Sequence, residues 1–483
     1  MSVSRRNFLA LAGAGVVGAS MVSPLDLFYQ RVSAGAIPRG PGYGPLVPKL
    51  AENADELAGT IVSGFDLGTT PIIALPAGFN YTAISITGQP MHDGGTVPGL
   101  HDGMAAYAGS KNQTVLVRNH EVGANGSNPV VTSNGMRYDQ IGGGTTNVVI
   151  GPNRRVRYQF ASLGGTIRNC AGGPTPWNSW ITCEENTSLI GASPSPTNPS
   201  GNARMHGYNF EVPASETLNV AEPIPLTAMG RFNHEAIAVE DETGWVFQTE
   251  DRGDSAFYRF RPNVAGDLSS GVLEALRITD SRALNMEVAT GSHNTATGYR
   301  GLKGVALQAT WVTIDNPNPA TDTVRVEARS KGAARFTRGE GAWYGNGYTY
   351  FVCSNGGNDG RGQVWAYRSD RNDPTSGTVT LVVEAEAVVG PGGTTDGTLA
   401  APDNITVAPF GDLFLCEDGG GIEYVVGVNQ GGDLYRFVEN VLAGGGSEFA
   451  GACFSPDGKT FFVNIQGPGI TLAIWGPWTR KRG

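Results

Sequence analysis

Between residues 75 and 478 the chain alternates short apolar runs with polar turn residues. The clearest case is RFNHEAIAVEDETGWVFQTEDRGDSAFYRF, residues 231–260. His234 to Glu240 and Trp245 to Glu250 have the apolar, β-branched and aromatic content of strands, and Asp241 to Gly244 (DETG) reads as the turn between them. A third strand, AFYRF, follows. An antiparallel hairpin sets the start of its first strand beside the end of its second, so Asn233, His234 and Glu235 are expected beside Thr249, Glu250 and Asp251. The same unit recurs. His101-Asp102-Gly103 opens a hairpin ending in Asn119-His120-Glu121, and Asn169-Cys170-Ala171 one ending in Cys183-Glu184-Glu185. Gly339-Glu340-Gly341 opens one ending in Ser354-Asn355, Asp403-Asn404 one ending in Glu417-Asp418, and Glu448 to Gly451 one ending near Asn464 and Gln466. With the first case there are six such units.

Repeated antiparallel units of this kind are the signature of a β-propeller, in which the first strand of each blade lines a central axis. The expected fold is therefore all-β, a six-bladed β-propeller, with the polar hairpin ends converging on a metal site at the central channel. The expected division is a signal over 1–34, an N-terminal arm over 35–75 and a single propeller over 76–483. LPAGFNYTAISITGQPM, Leu75 to Met91, either starts the first blade or closes the ring. Residues 186–203 read as an exposed low-complexity loop. Residues 263–330 read as blade strands plus an insertion.

Composition agrees with many turns and few helices: 70 of 483 residues are glycine and only 16% are charged. The net charge is −10. Residues 1–34 hold Arg5, Arg6 and Arg31 against Asp26, so the remainder carries −12. Such a chain is a poor match for nucleic acid. Ser4-Arg5-Arg6-Asn7-Phe8-Leu9 precedes an apolar run to about Val22, too short for an ordinary membrane span. It resembles the twin-arginine export signal, which implies contact with the twin-arginine machinery, cleavage after Ala34 or Ala36, and a periplasmic or extracellular location. No later run is long enough to span a bilayer. A closed propeller leaves few sheet edges, so a monomer is expected.

Three acidic groups and a histidine at one hairpin end are costly without a cation, unless they spread into solvent. Six such ends aimed at one point favour the cation. Carboxylates and amide oxygens suit calcium, and a thiolate or imidazole among them brings in iron. The five cysteines are an odd number. Cys183, Cys353 and Cys416 end second strands, where the plain reading is a small buried residue. The sharper reading makes Cys183, next to Glu184 and Glu185, a metal-bound thiolate. There is no CxxC, HExxH, GxSxG or glycine-rich phosphate loop, so zinc fingers, zincins and a serine nucleophile lack support. Adjacent metals suit phosphate esters. Arg338, two residues before Glu340, and Arg252 are candidates for bidentate phosphate contacts.

Several segments resemble the PhoX-type alkaline phosphatases: SRRNFL, NCAGGPTPWNSWITCEEN, GRFNHEAIAVEDETGWVFQTEDRGDSAFYRF, GQVWAY, PDNITVAPFGDLFLCEDGG and FSPDGKTFFVNIQGPGITLAIWGPW. The resemblance implies a six-bladed propeller that hydrolyses small phosphate monoesters at a cluster of calcium and iron (Ca2+, Fe3+). It further implies iron on the Cys183 thiolate with Glu184 adjacent, Arg338 holding phosphate and Glu340 binding metal. Glu235, Glu250 and Glu417 are then further carboxylate ligands, and Asn169 and Asn404 amide ones. The family's longer members read Arg-Pro-Glu where this chain reads Arg338-Gly339-Glu340. Two other functions fit a calcium-binding propeller: a calcium-dependent lactonase or esterase, and a non-catalytic propeller in which calcium is structural.

Overall fold

The computed structural model describes residues 42–194, 200–281, 302–387 and 397–478. The twin-arginine start, both cleavage positions and the basic tail lie outside the described residues. The fold is all-β and propeller-like. Each expected hairpin forms. The first strands are His101–Ala108, Asn169–Pro174, His234–Val239, Gly339–Gly345, Pro402–Val407 and Phe449–Phe454. They pair antiparallel with Thr114–His120, Ser179–Glu184, Val246–Glu250, Tyr348–Cys353, Leu413–Glu417 and Thr460–Ile465. The first strands touch one another in chain order and the last touches the first, so they form a closed inner ring. A narrow cavity on its axis takes a lining residue from every one of them: Met104, Ala171, Ala236, Gly341, Asn404 and Ala452.

The sheets do not divide as evenly as the sequence suggests. Four sheets carry one hairpin each, but one nine-stranded sheet carries two. Leu307–Thr313 joins them, pairing with Asp267–Ile278 on one side and Ser376–Glu384 on the other. The stretch expected to be blade strands plus an insertion thus supplies a bridge. It covers two outer sheet edges whose backbone groups would otherwise lack partners.

The N-terminal segment is also tied in by strand pairing. Asn80–Ile86 pairs with the last strand, Ile470–Trp475, and so closes the ring. Val47–Lys49 and Ile73–Leu75 extend the sheet of Leu434–Asn440 at its outer edge. Strands buried on both faces read as nearly continuous apolar runs, and the core lies between neighbouring sheets. Phe79, Phe414, Phe437, Phe461 and Trp478 form one such seam of ring contacts. Trp343, on an inner strand, packs against three apolar clusters, including one built from Met104 and Leu116 and another from Val117 and Trp180. Those residues belong to the first two hairpins and Trp343 to the fourth, so its indole reaches across the axis. Among the described residues no helix is long and apolar enough to cross a membrane.

Candidate metal centre

Every inner strand has a register break at the same place. Pairing jumps from His101 to Met104, Asn169 to Gly172, His234 to Ile237, Gly339 to Ala342, Pro402 to Ile405 and Ala450 to Cys453. Each break is a β-bulge, two residues facing one, which bends the strand and re-aims a side chain. The first residues inside the six bulges are Asp102, Cys170, Glu235, Glu340, Asp403 and Gly451. Next to them stand Gly103, Ala171, Ala236, Gly341, Asn404 and Ala452. Several of these must be small because adjacent hairpins meet there backbone to backbone. A Cβ on Gly341 would lie 2.6 Å from the Asp403 carbonyl oxygen, and one on Gly103 would lie 2.6 Å from Ala171 Cα.

A second ring forms where the second strands end. The N–H groups of Glu121, Glu185, Asp251, Ser354 and Asp418 donate to the carbonyls of Leu100, Arg168, Asn233, Arg338 and Ala401, at 3.0, 3.0, 3.2, 3.0 and 3.0 Å. Gln466 does the same to Glu448 at 3.2 Å. The bulge residues and these rim residues together build the site.

Three groups of potential ligand atoms lie side by side: Cys170 with Glu185 and Glu235; Glu235 with Glu340 and Asp403; Asp403 with Asp418 and Glu448. Within each group the atoms are within 4.8 Å of one another, and shared members link the three into one chain. The thiol end is buried and the Asp418 end exposed. Gln466 Nε2 draws in two more carboxylates, donating to Asp102 Oδ2 and Glu121 Oε2 at 2.9 Å each. In the sixth hairpin the bulge residue is Gly451, and Glu448, three residues earlier, supplies the carboxylate.

Like charges crowded away from water favour protonation. Burial, then the charges of Glu340, Asp403 and Glu185, pushes Glu235 well up. Burial followed by Asp251 and Asp403 does the same to Glu340. Asp403 is pushed up to about 8 by burial and Asp418, and Glu448 to about 12 by burial, Asp403 and Asp102. Burial and Glu235 raise the Cys170 thiol. Bound cations would reverse these shifts. A donor set of many oxygens and one sulfur fits hard cations beside a softer transition metal.

Two guanidiniums border the cluster. Arg338 Nε lies 3.2 Å from Asp251 Oδ1 and its terminal nitrogen donates to Glu340 Oε1 at 3.1 Å. Ser354 Oγ donates to the same Glu340 oxygen at 2.6 Å. Arg168 bridges Glu121 and Glu185 at 2.5 Å each.

The structure brings Glu235 and Glu340 into the cluster and Arg338 onto its rim. Asn404 lines the axial cavity and donates to Asp403 Oδ1 at 3.3 Å; the remaining expected residues point elsewhere, and most miss by one position. Cys183 lies in an apolar core with Ile181, Met229 and Phe232, while Cys170 holds the sulfur position in the cluster. Glu184 faces away, accepting from the N–H groups of Ile167 and Gly207 at 3.1 and 2.9 Å and pairing with His206 Nδ1 at 2.7 Å. Glu250 accepts from Tyr258 Oη at 2.7 Å and pairs with Arg325, and burial pushes it up to about 7. Glu417 accepts from the N–H groups of Ala400 and Tyr424 at 2.6 and 3.0 Å. Asn169 is fully buried between Thr166 and Thr182, and Asn404 accepts from Gly451 N–H at 2.9 Å. Arg252 turns its guanidinium to Asp322, 3.4 Å away, while its carbonyl accepts the Arg338 N–H at 2.8 Å. Successive strand residues point to opposite faces, so a one-residue offset moves a side chain out of the channel. Asp102, Glu121, Cys170, Glu185, Asp251, Asp403, Asp418 and Glu448 are the members missed. In four hairpins a bulge residue with a carboxylate or thiol is followed by glycine or alanine, in Asp-Gly, Cys-Ala, Glu-Ala and Glu-Gly. That pair, at the head of four of the repeats, is the signal that locates Asp102 and Cys170.

Fold and site together define an all-β, propeller-like protein whose channel mouth gathers carboxylates, one thiol and two guanidiniums. The family model for alkaline phosphatase PhoX matches residues 60–469, and the chain belongs to that family. It is an alkaline phosphatase-like phosphoric monoester hydrolase. Among solved structures it is similar to Pseudomonas fluorescens PhoX in complex with vanadate, a transition-state analogue. The TM-score is 0.62 at 19% identity, covering 84% of this chain and 96% of that one. A gluconolactonase of Xanthomonas campestris is more distant, with a TM-score of 0.41 at 11% identity, covering 90% and 98%. No curated protein matches the chain.

Proposed function

We propose that this chain is an exported, monomeric six-bladed propeller that hydrolyses small phosphate monoesters at a calcium and iron cluster in its channel mouth. The observation that carries the reading is the ring of bulges, which aims Asp102, Cys170, Glu235, Glu340 and Asp403 at one volume. The closed ring of six inner strands supports six blades, two of them sharing a sheet. Iron would sit with Cys170, Glu185 and Glu235, and calcium with the all-oxygen groups around Asp403, Asp418 and Glu448. Bound cations would neutralise and polarise a phosphoryl group and make an attacking water more acidic.

The chain's own residues supply orientation. Arg338 presents a planar fork suited to two phosphoryl oxygens. Asp251 and Glu340 hold that fork, Ser354 holds Glu340, and the Arg252 carbonyl fixes the Arg338 backbone. Trp343 crosses the axis on the inner side of the bulges, so substrate enters from the rim. The twin-arginine-like start supports export of an already folded, loaded protein.

Hydrolysis of an aryl phosphate by the purified chain, with calcium and then with excess chelator, tests the reading. Chelator-sensitive phosphate release is expected. A folded, calcium-binding protein that releases no phosphate would refute it.

A further inference from the structure

Arg168 and Arg338 occupy the same position in two different hairpins. Each immediately precedes its inner strand, and each is left-handed, with φ of 47° and 46°. Each offers its carbonyl to the N–H of a rim residue, Glu185 or Ser354, at 3.0 Å. Each has its own N–H held by a carbonyl of the adjoining segment, Val122 at 3.1 Å or Arg252 at 2.8 Å. Each extends a half-exposed guanidinium over two carboxylates, with 44% of the side chain accessible in both cases. The remaining equivalents, Leu100, Asn233, Ala401 and Glu448, include no cation.

The two guanidiniums also stand over adjoining parts of the cluster. Arg168 pairs with Glu185, in the group holding Cys170; Arg338 pairs with Glu340, in the next group; Glu235 belongs to both. A polar rim joins them across the hairpin between. Asn233 Nδ2 donates to Glu185 Oε1 and to the Asp251 carbonyl, 3.1 Å each, and Asp251 lies against Arg338. An anion seated over Glu235 therefore has one guanidinium on either side. Glycine would adopt this backbone at lower cost, so the turn alone does not call for arginine at position 168.

We infer that Arg168 is a second phosphate-holding residue, closing on the phosphoryl group from the Cys170 side while Arg338 closes from the other. A phosphoryl dianion has three non-bridging oxygens and can accept from both forks. The inference rests on the phosphatase reading above and adds a binding group to it.

The test uses the metal-loaded full chain with Arg168→Asn and Arg168→Lys. Asparagine tolerates the left-handed backbone, so the first variant removes the guanidinium with little added strain. Inorganic phosphate is titrated calorimetrically, metal content is measured, and kcat and KM are determined with an aryl phosphate. The expected result for Arg168→Asn is a rise in phosphate Kd and in KM of roughly 10- to 100-fold, the scale of a lost charge-assisted hydrogen bond. Here kcat falls less than KM rises, metal content is unchanged, and lysine recovers part of the loss. A phosphate Kd and KM within twofold of the parent, with metal retained, would reduce Arg168 to a rim ion pair. Metal loss in both variants would make its role structural and overturn the inference equally. A parent chain that binds no phosphate defeats the phosphatase reading itself. A parent that binds it, beside a variant that binds equally well, defeats only the role of Arg168.

Discussion

Cys170 and Cys183 sit in one hairpin, both buried and both without a disulfide partner. Replacing each by alanine separates the proposed ligand from a core residue. Cys183 packs against Ile181, Met229 and Phe232, with burial alone raising its thiol. Its loss removes about one methylene-sized group from a close-packed core, costing about 1–2 kcal/mol. Metal content should not change. Cys170 faces Glu185 and Glu235, and its thiol approaches the His234 carbonyl at 3.5 Å. In chelated protein its loss should cost about 1 kcal/mol or less, since only a weak thiol donor disappears. In loaded protein the cost is larger. Loss of a direct ligand should exceed the 10–100-fold known for outer-shell partners, so about 100-fold is a conservative figure. Metal at about 1,000 times its Kd stabilises by about 4 kcal/mol, and at about 10 times by roughly 1.4 kcal/mol. For a chain of this size a kcal/mol corresponds to about 2 °C, so a loaded-minus-chelated Tm gap of about 8 °C should shrink to about 3 °C. Thermal scans with and without chelator, together with elemental analysis, measure both quantities. Metal lost from Cys183→Ala and kept by Cys170→Ala would refute the assignment.

Three further outcomes are expected. Glu185→Gln should lose metal with little change in chelated Tm, whereas Glu184→Gln should keep metal and lose about 1.5–3 kcal/mol, because Glu184 accepts from buried N–H groups; elemental analysis and urea melts distinguish them. Gly341→Ala should cost about 1–3 kcal/mol in urea unfolding, because its Cβ meets the Asp403 carbonyl rather than a yielding side chain; an unchanged midpoint would contradict the close inner ring. Chelated protein should lose Tm as pH rises from 5 to 8.5. Burial raises Asp251, Glu121 and Asp403 to about 6, 7 and 8, so the folded state holds protons that the unfolded chain releases near pH 4. The stability from these protons is complete below pH 4 and is lost on passing through the folded values; a chelated Tm that climbs with pH would contradict this.

The hairpins and their number were legible because pattern and turn chemistry agree along the sequence. His234 faces Glu250 and Asn169 faces Glu184, as strand and turn lengths imply. The bulges were not legible, because one extra residue leaves composition and hydrophobic pattern almost unchanged while it reverses which side chains face the axis. Hence Asn169 stood in for Cys170, Asn404 for Asp403, Glu184 for Glu185, Glu250 for Asp251 and Glu417 for Asp418. Glu235 and Glu340 lie at the bulge positions themselves, so the offset does not displace them. The fusion of two hairpin sheets was hidden for another reason. Leu307–Thr313 reads like any blade strand, and only its two partners, far apart in sequence, make it a bridge.

The last inner hairpin meets the first, and the strand that seals them, Asn80–Ile86, lies almost four hundred residues before its partner, Ile470–Trp475. Asp102 belongs to the first inner hairpin and Glu448 to the last, and the charge of Asp102 helps to raise Glu448 across that seam. A nascent chain therefore cannot hold a complete site until its final strand has left the ribosome. Every earlier intermediate exposes part of the acidic arc with one wall missing. Cations that need the whole ring will bind only finished molecules, and their uptake can serve as a clock for the final step of folding. Pairing over such a sequence distance is slow to find, so, if the proposed cluster binds metal, a delay between the gain of strand signal and metal uptake is expected.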